Sequence, residues 1–269
     1  MIRIAFALSR RTVLGALSAA LLMGTAGAAM AETVKVGIMA GEDEAVWQVV
    51  AEEAAKKGLT VETVPFSDYV QPNEALANGE IGANAFQHGP YLEAQIQQHG
   101  YEIEPAGYTL IQPIGLYSRK HESVAEIPDG GSVGIPNDPS NGGRALNLLA
   151  AQGLITLRDG AGILATALDV ETNPKNLQIR ELDAGIVGRS IEDLDAGVVN
   201  TDWAAKSGLK ADDRIAQESL TDNPYRNFIA VRTVDKDAPW VKTLVAAYQT
   251  DAVKQALDEA YKGAAQPAW

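Results

Sequence analysis

Between residues 34 and 232 the chain alternates short β-prone runs with helical stretches, and this alternation constrains the fold more than any other feature. Residues 34–38 and 59–64 read as strands around a helix over 42–57. Val46, Val49, Val50 and Ala54 fall at helical spacing there, and Gly58 ends the helix. Residues 72–78 form a short helix opened by Pro72, 81–86 a strand, 90–99 a helix stopped by Gly100, and 108–117 one long β-prone run. A second set covers 132–217, with a strand ending at Ile135, a helix to about Gln152, a strand over 177–182, a short helix over 190–194 and a strand over 197–200. Residues 227–232 are again a strand, and 240–262 a helical tail broken near Asp251. Such alternation implies an α/β layer structure rich in parallel pairing.

The most informative stretch is 133–152. A buried-looking strand, Val133-Gly134-Ile135, runs into Pro136-Asn137-Asp138-Pro139-Ser140-Asn141-Gly142-Gly143, which is turn chemistry, with Ser140 and Asn141 as N-cap candidates. Arg144 stands in the first turn of the Ala/Leu-rich helix that follows. A cation is unfavourable at the positive end of a helix dipole, so its presence there suggests a negative partner. A guanidinium can grip a carboxylate with two parallel bonds. Local pattern leaves two readings: a bound anion, or a nearby Asp or Glu of the same chain.

Pro136-Asn137-Asp138-Pro139-Ser140-Asn141-Gly142-Gly143-Arg144-Ala145-Leu146 resembles the signature of the NlpA-type, methionine-binding family of ABC-transporter substrate-binding proteins. Further segments match in the same order, among them Asp68-Tyr69-Val70-Gln71-Pro72-Asn73-Glu74-Ala75-Leu76 and Asn84-Ala85-Phe86-Gln87-His88-Gly89-Pro90-Tyr91-Leu92. Asn173-Pro174-Lys175-Asn176-Leu177, Val199-Asn200-Thr201 and Ala247-Tyr248-Gln249 follow. The resemblance implies a two-lobe periplasmic-binding-protein type II fold with mixed, mostly parallel sheets and a cleft between lobes. One lobe would be 32–118 plus 225–269, the other 119–224, with crossing strands near 117–120 and 222–227. It also implies a non-enzymatic carrier of methionine, L-methionine first, working with a membrane permease and ATPase complex. Arg144 would take the ligand's carboxylate, with Asn141, Asn200 and Asn227 beside it, and Tyr69, Phe86, His88 and Tyr91 would wall the side chain. On local pattern alone, Phe86 reads as core, His88 as a capping or surface residue, and Asn200 and Asn227 as turn caps. Gly142, the 184–188 segment and Gln112 depart from the family pattern. D-methionine, a methionyl dipeptide or another small organic acid therefore stay open as ligands, and a secreted hydrolase or lyase is the reading from another class.

Residues 1–31 read as an export signal with a basic start (Arg3, Arg10, Arg11), an apolar stretch and a small-x-small cleavage site, Ala29-Met30-Ala31 before Glu32. Arg10-Arg11 leaves Sec and twin-arginine export both open. The chain has no Cys, so the lipid-anchoring cysteine usual in the family is replaced by Glu32. A free, monomeric periplasmic protein is expected. The formal net charge is −13, and the signal holds three arginines and no acids, leaving −16 for the rest. That balance argues against nucleic acid as a partner.

Other chemistry fails on context. Gly130-Gly131-Ser132-Val133-Gly134 matches G-x-S-x-G but has a loop before it and a strand after it, the reverse of a nucleophile elbow. His88, His99 and His121 lack zinc spacing, and Pro174 and Arg180 break the faint calcium-loop pattern that starts at Asp169. No cofactor or metal is expected.

Overall fold

The computed structural model describes residues 32–269; the expected signal and its cleavage after Ala31 lie outside them. Two five-stranded sheets organise these residues. In the first, Glu32–Met39 pairs in parallel with Leu59–Phe66 and with Ala83–His88, while Asn227–Arg232 pairs antiparallel with Ala83–His88 and Ile103–Tyr108. In the second, Ser132–Pro136 is flanked in parallel by Gln178–Leu182 and Ala196–Val199, and Gly115–Tyr117 runs antiparallel between Ala196–Val199 and Arg214–Gln217. Both sheets are thus mixed, with helices covering their faces, and the chain passes between them at 112–114 and 218–226.

Each sheet buries its own core. Helix Glu42–Ala55 presents Val46, Trp47, Val50 and Ala54 to the first sheet, where Trp47 packs on Tyr248 at 5.3 Å between ring centroids. Burying each such large apolar side chain contributes about 1.5–3 kcal/mol. Gly41, at φ 109°, makes the turn into this helix, a backbone region that side-chain-bearing residues rarely adopt. Its N–H donates to Glu44 Oε1 at 2.8 Å. The second core is built on Ile135, Leu146, Leu149 and Val198. A third apolar cluster joins the two sides: Met39, Phe86 and Tyr91 meet Val187, Val199 and Trp203.

Four local expectations are corrected. The N-cap of helix Pro139–Ala151 is Asp138, whose Oδ1 accepts the Asn141 N–H at 2.9 Å; Ser140 and Asn141 lie inside the helix. Pro139 explains this, since proline favours the first helical position. The run over 108–117 is broken: Ile103–Tyr108, Leu110–Ile111 and Gly115–Tyr117 belong to three separate pairings. Pro113 lacks an N–H for a continuous ladder. Gly115–Tyr117 already lies in the second sheet, so the first passage is complete before the expected 117–120. Finally, the short helix expected over 190–194 lies earlier, at Ala184–Val187, opened by Asp183, which accepts the Gly185 N–H at 2.9 Å.

Candidate functional site

All eight side chains singled out in the sequence (Tyr69, Phe86, His88, Tyr91, Asn141, Arg144, Asn200 and Asn227) line one cavity between the two sheets. Its volume is about 660 Å³ counting the space that opens to solvent.

The Ala83–His88 strand delivers three of its walls. Buried amides hold that strand in place: Asn84 Nδ2 donates to Asn73 Oδ1 at 2.9 Å, and Asn73 Nδ2 donates to Gln87 Oε1 at 2.8 Å. Phe86 then meets Tyr69 and Tyr91 at 5.9 and 5.8 Å between centroids, and Tyr69 meets Trp203 of the other side at 5.6 Å. Tyr91 locks the group by donating its hydroxyl to Tyr69 O at 2.8 Å. These are spacings at which aromatic rings attract one another edge to face or offset, and a polarizable sulfur packs well against ring edges.

His88 combines both roles that local pattern left open. As N-cap of helix Gly89–His99 its Nδ1 accepts the Tyr91 N–H at 3.2 Å. The proton therefore sits on Nε2, which donates to Asn141 Oδ1 at 3.3 Å. Burial, and secondarily the Arg144 charge, push His88 down to about 3, so the ring is neutral. Asn141 Oδ1 also accepts Asn200 Nδ2–H at 3.0 Å, and Asn141 Nδ2 donates to both carboxylate oxygens of Asp138. This chain of bonds fixes which way Asn200 faces: its Oδ1 is buried at the cavity with no protein partner. A buried acceptor left unpaired costs about 1–3 kcal/mol, so this atom is suited to an incoming N–H. Asn227 is placed differently, with Nδ2 donating to Phe86 O at 3.1 Å.

Arg144 has found its negative partner within the chain. Its Nε donates to Glu218 Oε2 at 2.9 Å, Nη2 pairs with Glu218 Oε1, and Nη2 also donates to Gln112 O at 2.8 Å. The guanidinium carbon lies 4.1 Å from the Tyr225 ring centre. The two-bond grip expected for a bound carboxylate is therefore taken by Glu218, and neither Glu218 nor Gln112 engages Nη1.

An acidic end of the cavity had not been foreseen. Tyr69 donates to Asp202 Oδ1 at 2.7 Å, and Tyr261 donates to Asp43 Oδ1 at 2.8 Å. Burial raises both carboxyls, Asp43 to about 7. Lys206, stacked over Trp203 at 4.3 Å, lowers both in part. Trp203 and Asp202 follow Asn200 in one strand-to-helix junction, and Tyr225 stands two residues before Asn227, so proximity could have flagged them. Glu218 and Asp43 carry no local signal. Among the described residues no cluster of His, Asp and Glu has metal-holding geometry.

The chain is similar in sequence and fold to known binding proteins. The chain is 47% identical over 240 residues to the D-methionine-binding lipoprotein MetQ of Salmonella typhimurium, covering 88% of each. A nutrient binding protein from Burkholderia cenocepacia, solved bound to methionine, is 51% identical with a TM-score of 0.85, covering 88% of this chain and all of that one. The methionine binding protein MetQ superposes with the same TM-score at 46% identity, covering 88% of this chain and 98% of that chain. These neighbours share its two-lobe, type II periplasmic-binding-protein architecture. The NlpA lipoprotein family profile matches residues 34–269, and the chain belongs to that family.

Proposed function

We propose that this protein is the extracytoplasmic substrate-binding component of an ABC importer, carrying methionine in the interlobe cavity to a membrane permease and ATPase complex. One observation carries the reading: a buried acceptor without a partner, Asn200 Oδ1, and Arg144, whose Nη1 is bonded to neither Glu218 nor Gln112, line the same cavity as an aromatic wall. The carboxylate takes Arg144 Nη1, the ammonium donates to Asn200 Oδ1, and the thioether packs among Tyr69, Phe86 and Tyr91. Asn141, His88 and Asn227 hold these groups in place. The first sheet and its helices form one lobe and the second sheet the other, with 112–114 and 218–226 as the hinge. Ligand draws the lobes together as a population shift. The role is carriage, with no chemical step. The chain works as a monomer in the periplasm after signal cleavage.

The test is thermal unfolding of refolded, ligand-stripped protein with L-methionine, D-methionine and methionyl dipeptides. A ligand at a hundred times its Kd adds about 2.7 kcal/mol, a rise of roughly 5–10 °C for a chain this long. Arg144→Ala removes a charge-assisted bond of about 1.5–3 kcal/mol and weakens binding at least tenfold. Absence of any shift across the panel, or an isotherm that Arg144→Ala leaves unchanged, would refute the assignment.

A further inference from the structure

We infer that Glu218 makes the site selective for zwitterions over simple anions. This rests on the methionine reading above and goes beyond it, because it assigns the discrimination to a residue outside the expected ligand set.

A guanidinium has five N–H donors. Glu218 and Gln112 O occupy the one on Nε and both on Nη2, leaving the two on Nη1. Glu218 is itself held on the hinge segment, because its Oε1 accepts the Ile114 N–H at 3.1 Å. Arg144 and Glu218 are only 4% and 13% exposed, so the cancellation of their charges takes place away from bulk water. Around them the cavity adds no positive charge: His88 is neutral, and Lys206 faces Asp202 and Asp43. The Arg144–Glu218 pair therefore leaves no net positive charge at the arginine's end of the cavity.

Into such a cavity a 2-oxo or 2-hydroxy acid with the methionine side chain brings an uncompensated negative charge, and it cannot supply the ammonium N–H that Asn200 Oδ1 lacks. Methionine brings no net charge and supplies it. Were Arg144 unpaired, it would attract any carboxylate of the right shape. Glu218 removes that general attraction while fixing the plane of the guanidinium, so it acts as a positioning and selectivity residue.

The experiment compares binding of L-methionine and its 2-hydroxy analogue by calorimetry in wild type, Glu218→Gln, Glu218→Ala and Glu218→Asp. Gln places an amide N–H against Arg144, so Ala serves as a second charge-free variant. The expected result is that the ratio of the two Kd values falls at least tenfold in each charge-free variant that folds, with the hydroxy acid gaining absolute affinity. Glu218→Asp, which keeps the charge, retains the wild-type ratio. A purely structural Glu218 would weaken both ligands together and leave the ratio unmoved, which overturns the proposal, as does a ratio that collapses in Glu218→Asp. If wild type bound neither compound, the methionine reading would fail instead.

Discussion

Asp43 offers a prediction whose sign and size both follow from its surroundings. It lies in the first turn of helix Glu42–Ala55, buried, with Tyr261 donating to it at 2.8 Å, and it faces Asp202 and Lys206 of the other lobe and the buried Tyr248. Burial raises its carboxyl from 3.8 to about 7, against the partial relief of Tyr261 and Lys206. The folded protein therefore holds a proton that the unfolded chain releases in this window. Stability contributed by this group falls as pH rises from about 4 to 7 and is constant above that. The gap amounts to about 4 kcal/mol if fully expressed. Relaxation of the site reduces it, so a gain of about 2 kcal/mol is the working expectation. Asn keeps an acceptor for Tyr261 and cannot ionise. Urea unfolding of wild type and Asp43→Asn at pH 4, 6 and 8 should show the variant gaining on wild type by about that amount from the lowest pH to the highest. A difference between the two proteins that is flat with pH would refute the reasoning, whatever its size.

His88 should show the opposite slope. Its pKa is depressed to about 3, so the stability it contributes is present above pH 6.5 and lost as pH falls. His88→Asn, which can keep the N-cap, should lose less stability than wild type between pH 6.5 and 4, as read by the same urea series. Tyr69→Phe removes the hydroxyl that reaches Asp202 across the cleft. A bond to a charged group is worth about 1.5–3 kcal/mol, so methionine affinity should fall about tenfold by calorimetry while unfolding of the ligand-free protein changes less. Gly143→Ala puts a methyl group 2.4 Å from Ile163 O and 2.9 Å from Ala165 N, both backbone atoms. Overpacking of this kind costs about 1–3 kcal/mol, visible as a lower urea midpoint.

What was legible in the sequence was whatever short-range chemistry decides. Gly100 stops helix Gly89–His99 where expected, at φ 71°, because no other residue takes that conformation as cheaply, whereas the first helix ends at Ala55, before the expected 57, and Gly58, at φ 79°, turns the chain beyond its C-cap Lys56. The strand over 103–108 was missed for a reason: Pro105 and Gly107 argue against a strand. Yet this one lies at the edge of its sheet, bonded only to Asn227–Arg232, where proline is tolerated. The eight site residues were reachable because they sit at strand ends and helix starts, where α/β sheets bind ligands. Their partners were not. Tyr69 meets Asp202 across 133 residues, Asp43 meets Tyr261 across 218, and Arg144 meets Glu218 across 74. Such pairs exist only once the two sheets have been set against each other.

The Arg144 pair shows what this costs a sequence reading. With Asp138 as the N-cap, Arg144 is the sixth helical residue, beyond the first turn that the sequence reading gave it, so its partner answers the burial of a guanidinium and not the helix dipole; that partner lies inside the chain, a glutamate at the end of a strand that the sequence did not reveal. A partner inside the chain does not remove the arginine from ligand recognition; it changes the terms. An isolated arginine would confer affinity for anions in general. An arginine that lines the cavity with its charge cancelled on one edge and Nη1 left uncommitted by Glu218 and Gln112 confers direction without general attraction. Recognition of an amino acid then depends on satisfying a donor and an acceptor together, Arg144 Nη1 and Asn200 Oδ1. Placing both in one pocket requires strands Ser132–Pro136 and Ala196–Val199 to lie side by side in the second sheet, so that the helix start at Pro139 and the strand end at Asn200 emerge together.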